Sequence, residues 1–235
     1  MRKIVVPLAI LLAFAAFAAN SRADMVFEKT YNAPGGSESF DNNSGSPAAR
    51  VVNFDPGLFP GSSAILDIEV EISFSKLSDN PGTASPKYNE ISFSISKPEI
   101  GPAVRLISAG TPFPLTGSFS SGDSFDPGFD GTIIFKQSAP TAVNNLTTRN
   151  KIAAGTYKPA TNYDQTPAPN SSLDAFLGAT GSGNYTLNIF DNAAGAPLVL
   201  KSFTVRITAV PEPTSLAFLG LFATAGAFVR RRRVR

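Results

Sequence analysis

Leu66-Asp67-Ile68-Glu69-Val70-Glu71-Ile72-Ser73-Phe74 alternates apolar and polar residues without a break. Side chains of a strand point to opposite faces in turn, so this segment is expected to put Leu66, Ile68, Val70, Ile72 and Phe74 on one face and Asp67, Glu69, Glu71 and Ser73 on the other. That is the signature of a half-buried β-strand. The same alternation recurs in Ile91-Ser92-Phe93-Ser94-Ile95-Ser96, in Tyr185-Thr186-Leu187-Asn188-Ile189 and in Phe203-Thr204-Val205-Arg206-Ile207. Shorter candidates are Val51-Val52-Asn53-Phe54, Val104-Arg105-Leu106-Ile107 and Thr132-Ile133-Ile134-Phe135, and Leu198-Val199-Leu200 joins the strand that leads to Phe203.

Turn chemistry separates these segments at Asn80-Pro81-Gly82, Asp126-Pro127-Gly128, Gly181-Ser182-Gly183 and Asp191-Asn192-Ala193-Ala194-Gly195. No window between them holds a 3.6-residue apolar stripe, and helix is expected only as a turn near Ser172-Leu173-Asp174-Ala175-Phe176. Many short half-buried strands with polar connections predict one all-β domain over residues 24–209, an antiparallel jelly roll or β-sandwich. The Ser-, Asn- and Gly-rich stretch 24–45 reads equally as a first strand or as an arm.

Composition narrows the chemistry of this domain. The 235 residues include no His, no Cys and no Trp, with 19 Gly and 19 Pro. Disulfides, thiolate metal sites and cysteine nucleophiles are thereby excluded, as are histidine bases and histidine ligands. No catalysis is assigned. The formal charge of +2 conceals an asymmetry. Three of the 20 Lys+Arg lie in the first 23 residues and five in the last six, while all acids but Glu212 fall in 24–210, leaving 12 basic against 17 acidic groups there. A body of that sign does not suit nucleic acid, whose phosphates need clustered cations.

The ends read as addresses. Met1-Arg2-Lys3, the apolar run 4–19 and Asn20-Ser21-Arg22-Ala23 have the charge, apolar core and small-residue order of a secretory signal peptide. Sec export and cleavage by signal peptidase between Ala23 and Asp24 are expected, with Ala16-Phe17-Ala18 the competing site. At the other end, residues 210–215 (Val210-Pro211-Glu212-Pro213-Thr214-Ser215) precede an apolar stretch at 216–229 and then Arg230-Arg231-Arg232-Arg233-Val234-Arg235. The stretch is near the lower limit for a spanning helix, roughly 17 residues. Its arginines would stay on the cytoplasmic side. The expectation is a transient stop in the inner membrane.

This three-part tail resembles the PEP-CTERM sorting signal of Gram-negative bacteria. The resemblance implies recognition by an exosortase, a membrane transpeptidase-like protease, and cutting near Pro211-Glu212-Pro213. The body would then be released or joined to a surface carrier, as a cell-surface or extracellular-matrix protein.

The second half of the body carries another likeness. Gly155-Thr156-Tyr157-Lys158-Pro159 is followed by Leu173-Asp174-Ala175-Phe176-Leu177-Gly178, Gly183-Asn184-Tyr185-Thr186-Leu187, the Asp191 turn and Leu200-Lys201-Ser202-Phe203-Thr204-Val205. This order is similar to the P domain (Homo B domain) that accompanies subtilisin-like proprotein convertases, over roughly residues 50–208. Tyr185 and Phe203 stand where that pattern prefers Trp. Ser75-Lys76 replaces a His-Thr pair, and Tyr88-Asn89-Glu90-Ile91 replaces Gly-Asp-Leu. The resemblance implies the jelly-roll fold and not an inherited binding site.

Candidate sites follow from residue type. Asp67, Glu69 and Glu71 form a carboxylate row on one strand face, spaced about 7 Å apart. Such a row suits a calcium surface or a glycosidase pair, and equally a solvated strand face. Asp123, Asp126 and Asp130 gather three carboxylates within nine residues, the best Ca²⁺ candidate. Asp191-Asn192 with Asp174 is a second. Phe59, Tyr88, Phe113, Tyr157 and Tyr163 could stack on sugars, making polysaccharide a candidate partner, or anchor the core. Carbohydrate-binding and calcium-dependent adhesion modules are therefore the rival readings. Asn-x-Ser/Thr sequons stand at Asn42, Asn145, Asn170 and Asn184.

Overall fold

The computed structural model describes residues 24–41, 47–59, 63–77, 91–107, 129–143, 153–159, 172–191 and 195–210. Ten strands run through them: β1 Met25–Asn32, β2 Glu38–Phe40, β3 Ala48–Phe54, β4 Ala64–Lys76, β5 Ile91–Ser96, β6 Val104–Ile107, β7 Phe129–Lys136, β8 Gly155–Tyr157, β9 Gly183–Asp191 and β10 Leu198–Val210. One sheet has the order β1-β10-β4-β7-β8, with β2 also on β10; the other has the order β3-β9-β5-β6. Among the described residues there is no α-helix. Of the four 3-10 turns among the described residues, one, Leu173–Phe176, lies where the sequence placed one, and Ser172 Oγ accepts from its Asp174 N–H at 3.1 Å.

The alternating segments bury the expected faces. Ile68, Val70, Ile72 and Phe74 of β4 meet Ile91, Phe93 and Ile95 of β5 and Tyr185, Leu187 and Ile189 of β9 in a shared core, and all ten are buried. Phe74 and Phe93 cross the gap between the sheets edge to face, with ring centroids 5.1 Å apart. The outer faces take the polar residues of each pair.

Two irregularities change the sequence-based picture. Thr208 pairs with Asp67 and Ala209 with Ile65, so Leu66 faces no residue of β10. Such a bulge shifts the strand's inside–outside phase. Leu66, expected on the core face, is 48% exposed, and Ile65 is buried in its stead. In β10, the pairs Leu200↔Phe74 and Ser202↔Ser73 leave out Lys201 in the same way. The apolar set moves from Leu198 and Leu200 to Phe203, Val205, Ile207 and Ala209, all buried. A bulge is what lets one strand carry two apolar phases. Leu66→Ala is therefore expected to change the unfolding free energy by less than about 0.5 kcal/mol. Ile68→Ala should cost about 2–5 kcal/mol. Urea titration of both variants checks this, and equal losses would refute the bulge assignment.

The expectation of a wholly antiparallel fold needs correction. β8 lies parallel to β7, with Ile133↔Gly155 and Phe135↔Tyr157 in register. Parallel neighbours need a crossover connection, and residues 137–154 between them are long enough to supply one. β1 and β2 settle part of the open reading of 24–45 in favour of strands. They lie end to end along β10, and Ala33 N–H between them donates to Lys201 O at 3.0 Å.

Candidate functional site

β10 is an interior strand of its sheet, and its last residue, Val210, pairs with Ala64 and is 9% exposed. On its other side β1 runs antiparallel to it, with Met25 opposite Ala209 and Val26 opposite Thr208. Two junctions read from the sequence are therefore neighbours. Asp24, expected to be the first residue after signal-peptide cleavage, precedes β1 directly. Pro211 follows β10 directly. Ala23, Pro211, Glu212, Pro213, the apolar stretch 216–229 and Arg230, Arg231, Arg232, Arg233 and Arg235 lie outside the described residues. Among the described residues no helix is long and apolar enough to cross a membrane.

Residues 209–233 match the model of the PEP-CTERM protein-sorting motif. The chain ends in a PEP-CTERM sorting motif. No curated protein matches the chain. The PEP-CTERM motif implies processing by an exosortase, and proteins that carry it are exported and sorted to the surface. The match begins inside the fold, because Ala209 and Val210 are strand residues. No spacer separates the sheet from Pro211.

Several of the remaining candidates have internal partners among the described residues. Asp67 and Glu69 both contact Lys136, whose Nζ lies 3.3 Å from Asp67 Oδ2 and donates to Glu69. Glu71 accepts from Arg206 Nη1 at 2.7 Å, and Arg206 Nε donates to Glu28 at 2.6 Å. The carboxylate row is thus a cross-strand ion-pair ladder over β1, β10, β4 and β7. These partners hold the Lys136 ammonium and the Arg206 guanidinium charged to higher pH than usual.

Of the calcium candidates, Asp130 forms an ion pair with Lys201, the bulge residue of β10, while Asp123 and Asp126 lie outside the described residues. Among the described residues no three acids come together as a metal site. Asp191 is fully buried on β9 and Asp174 sits on the 3-10 turn. Asp191 Oδ2 accepts from Lys76 Nζ at 2.8 Å and from Leu198 N–H at 2.9 Å, and Lys76 also donates to Ala196 O at 2.5 Å. A lysine ammonium stands where the sequence reading allowed a cation. This buried pair joins β4 of one sheet to β9 of the other.

A second buried lysine extends β5. Lys97 is 1% exposed, forms an ion pair with Glu99 and lies 5.7 Å from the Tyr185 ring centroid. The Tyr185 hydroxyl donates to Gly181 O at 3.0 Å, and burial pushes its pKa far up. The Lys97 hydrogen bond holds the Glu99 carboxyl below its ordinary value of 4.5. A depressed carboxylate contributes stability above its unfolded pKa and loses it as pH falls through the folded pKa. Glu99→Gln should therefore lower Tm at pH 6 and converge with the parent in acid, below that folded value. A Tm difference that persists unchanged in acid would refute the linkage.

Among the described residues, the two aromatics of the suggested sugar platform are held inward. Phe59 is 5% exposed and packs on Phe27 at 4.2 Å and Phe54 at 6.0 Å. Tyr157 is half-buried and donates to Ala153 O at 3.1 Å. Tyr88, Phe113 and Tyr163 lie outside the described residues. Asn184 is exposed and accepts from Asn53 Nδ2 at 2.5 Å across β3 and β9, while Asn42, Asn145 and Asn170 also fall outside. The sequence pointed to the tail and missed the internal cations.

Proposed function

We propose that this is an exported, exosortase-processed cell-surface or extracellular-matrix protein, whose β-sandwich body acts structurally or in binding and performs no catalysis. The observation that carries the reading is the PEP-CTERM match at 209–233. In this account, residues 1–23 direct Sec export and are removed by signal peptidase before Asp24. The 24–209 body folds as one domain, and 216–229 halts in the inner membrane with Arg230–Arg235 on the cytoplasmic side. Exosortase then cuts near Pro211-Glu212-Pro213 and frees the body or transfers it to a carrier.

A non-catalytic body is supported by the lack of His and Cys and by the ion pairs that engage the Asp67, Glu69 and Glu71 row. A P-domain-like jelly roll is supported by the places of its quoted motifs. Gly155-Thr156-Tyr157 forms β8, Leu173 to Phe176 the 3-10 turn, Tyr185 to Leu187 lies in β9 and Leu200 to Val205 in β10.

Intact mass and fractionation of the native protein, with and without exosortase, test the reading. The expected mature form begins near Asp24, ends near Pro211 and appears only when exosortase is present. Added mass at the new C-terminus identifies attachment to a carrier. A membrane form that keeps Arg235 in both strains would make the tail a plain anchor and overturn the reading.

A further inference from the structure

The described residues expose six large apolar side chains, namely Val26, Val51, Leu58, Leu66, Leu77 and Leu177. Four of them gather at the end of the sandwich where β1 begins and β10 stops. Val26 and Leu66 flank β10 on its two sides at the level of Thr208 and Ala209. Leu177 directly precedes Gly178, whose N–H donates to Ile65 O at 2.9 Å, while Ile65 N–H donates to Ala179 O at 2.9 Å. Leu58 directly precedes Phe59, which packs on Phe27 of β1. The next groups along the outer face are charged: Asp67 with Lys136, Glu69 with Lys136, and Arg206 with Glu28. Exposed Asp24, Asp55 and Asp174 stand within three residues of Val26, Leu58 and Leu177, so the rim at this end sets apolar side chains beside carboxylates, a mixture that meets a bilayer at its headgroup boundary.

The adjoining chain says what covers this rim. The apolar stretch 216–229 begins after five residues beyond Val210, and the apolar run 4–19 ends four residues before Asp24. Five residues span at most roughly 20 Å. Both hydrophobic segments therefore leave from this one end, and the tail holds it close to lipid for as long as it is uncut. We propose that Val26, Leu58, Leu66 and Leu177 form a seating surface for the lipid bilayer, which holds the body by this end while the sorting motif awaits cleavage. The proposal rests on the reading that 216–229 enters the inner membrane.

The chain has no cysteine, so single-cysteine variants label cleanly. Leu66→Cys, Leu177→Cys, Leu77→Cys and Ala223→Cys would each carry an environment-sensitive fluorophore in the uncut full chain. The chain would be reconstituted into phosphatidylethanolamine–phosphatidylglycerol vesicles with a spin-labelled lipid quencher. Leu77 lies roughly 35 Å along β4 from Leu66 and serves as the distant reference. The expected result is quenching at 66, 177 and 223 at least twofold above that at 77. Quenching at 223 with 66 and 177 no different from 77 would overturn the seating surface and leave the tail reading intact. No quenching at 223 would overturn both. Shielding at 66 that needs no quencher lipid and weakens on dilution would assign the rim to a second copy of the chain, against the proposal.

Discussion

Replacing Lys76 by Met is expected to destabilise the fold by about 3–5 kcal/mol, as removal of one partner from a buried ion pair does. Lys76 is 2% exposed and Asp191 fully buried, so the substitution leaves a carboxylate without its cation inside the sandwich. In a body of this size the loss corresponds to a fall in Tm of roughly 10 °C or more. The second substitution Asp191→Asn should restore much of it. An amide carries no charge, yet its oxygen still accepts from the Leu198 N–H that Asp191 now serves. Thermal melts of the parent, the single and the double variant form the check. A double variant no more stable than Lys76→Met would show that lost packing, and not the stranded charge, sets the cost.

The second large effect centres on Phe59 and Gly181. A Cβ on Gly181 would stand 2.2 Å from the Phe59 ring, so Gly181→Ala forces the ring out of its place against Phe27 and Phe54. Overpacking of this kind costs typically about 1–3 kcal/mol. Phe59→Ala should cost about 3–5 kcal/mol through the cavity it leaves. The two penalties arise from the same contact and should not add. The double variant is expected to be about as stable as Phe59→Ala alone. Full additivity in urea titrations would mean that Gly181 is constrained by something other than this ring.

Most of the sheet framework was legible because burial on one side writes a period of two into the sequence. β5 and β6 have the bounds that alternation gave them. The pattern failed where the pairing slips. Nothing in Leu66 itself reveals that β10 skips it, since a bulge is a property of two strands and alternation describes one. β1 stayed open between a strand and an arm because it is an edge strand with Glu28 and Lys29 near its middle, and edges keep such charges exposed. β8 is three residues long, too short to show a period.

At the tail, order and chemistry sufficed, since basic, apolar and Pro-Glu-Pro parts need no tertiary contact to be recognised. The buried cations were harder, though a signal existed. Lys76, Lys97 and Asp191 each continue the inward phase of a strand, after Phe74, Ile95 and Ile189 respectively. An ionisable group in that phase at a strand end announces a buried partner, but only the fold says which one.

The place of β10 also has a consequence in time. Sheets dominated by pairings between distant segments form slowly, because loop closure precedes the contacts that reward it. Residues 198–210 lie between β1 and β4 in space, yet they are the last of the described chain to be synthesised. Until they arrive, β1 and β2 have no neighbour among the described strands of the sheet and β4 lacks one edge. On the proposed export route the body therefore travels unfinished, its closure delayed until the segment that bears the sorting motif is already following it out.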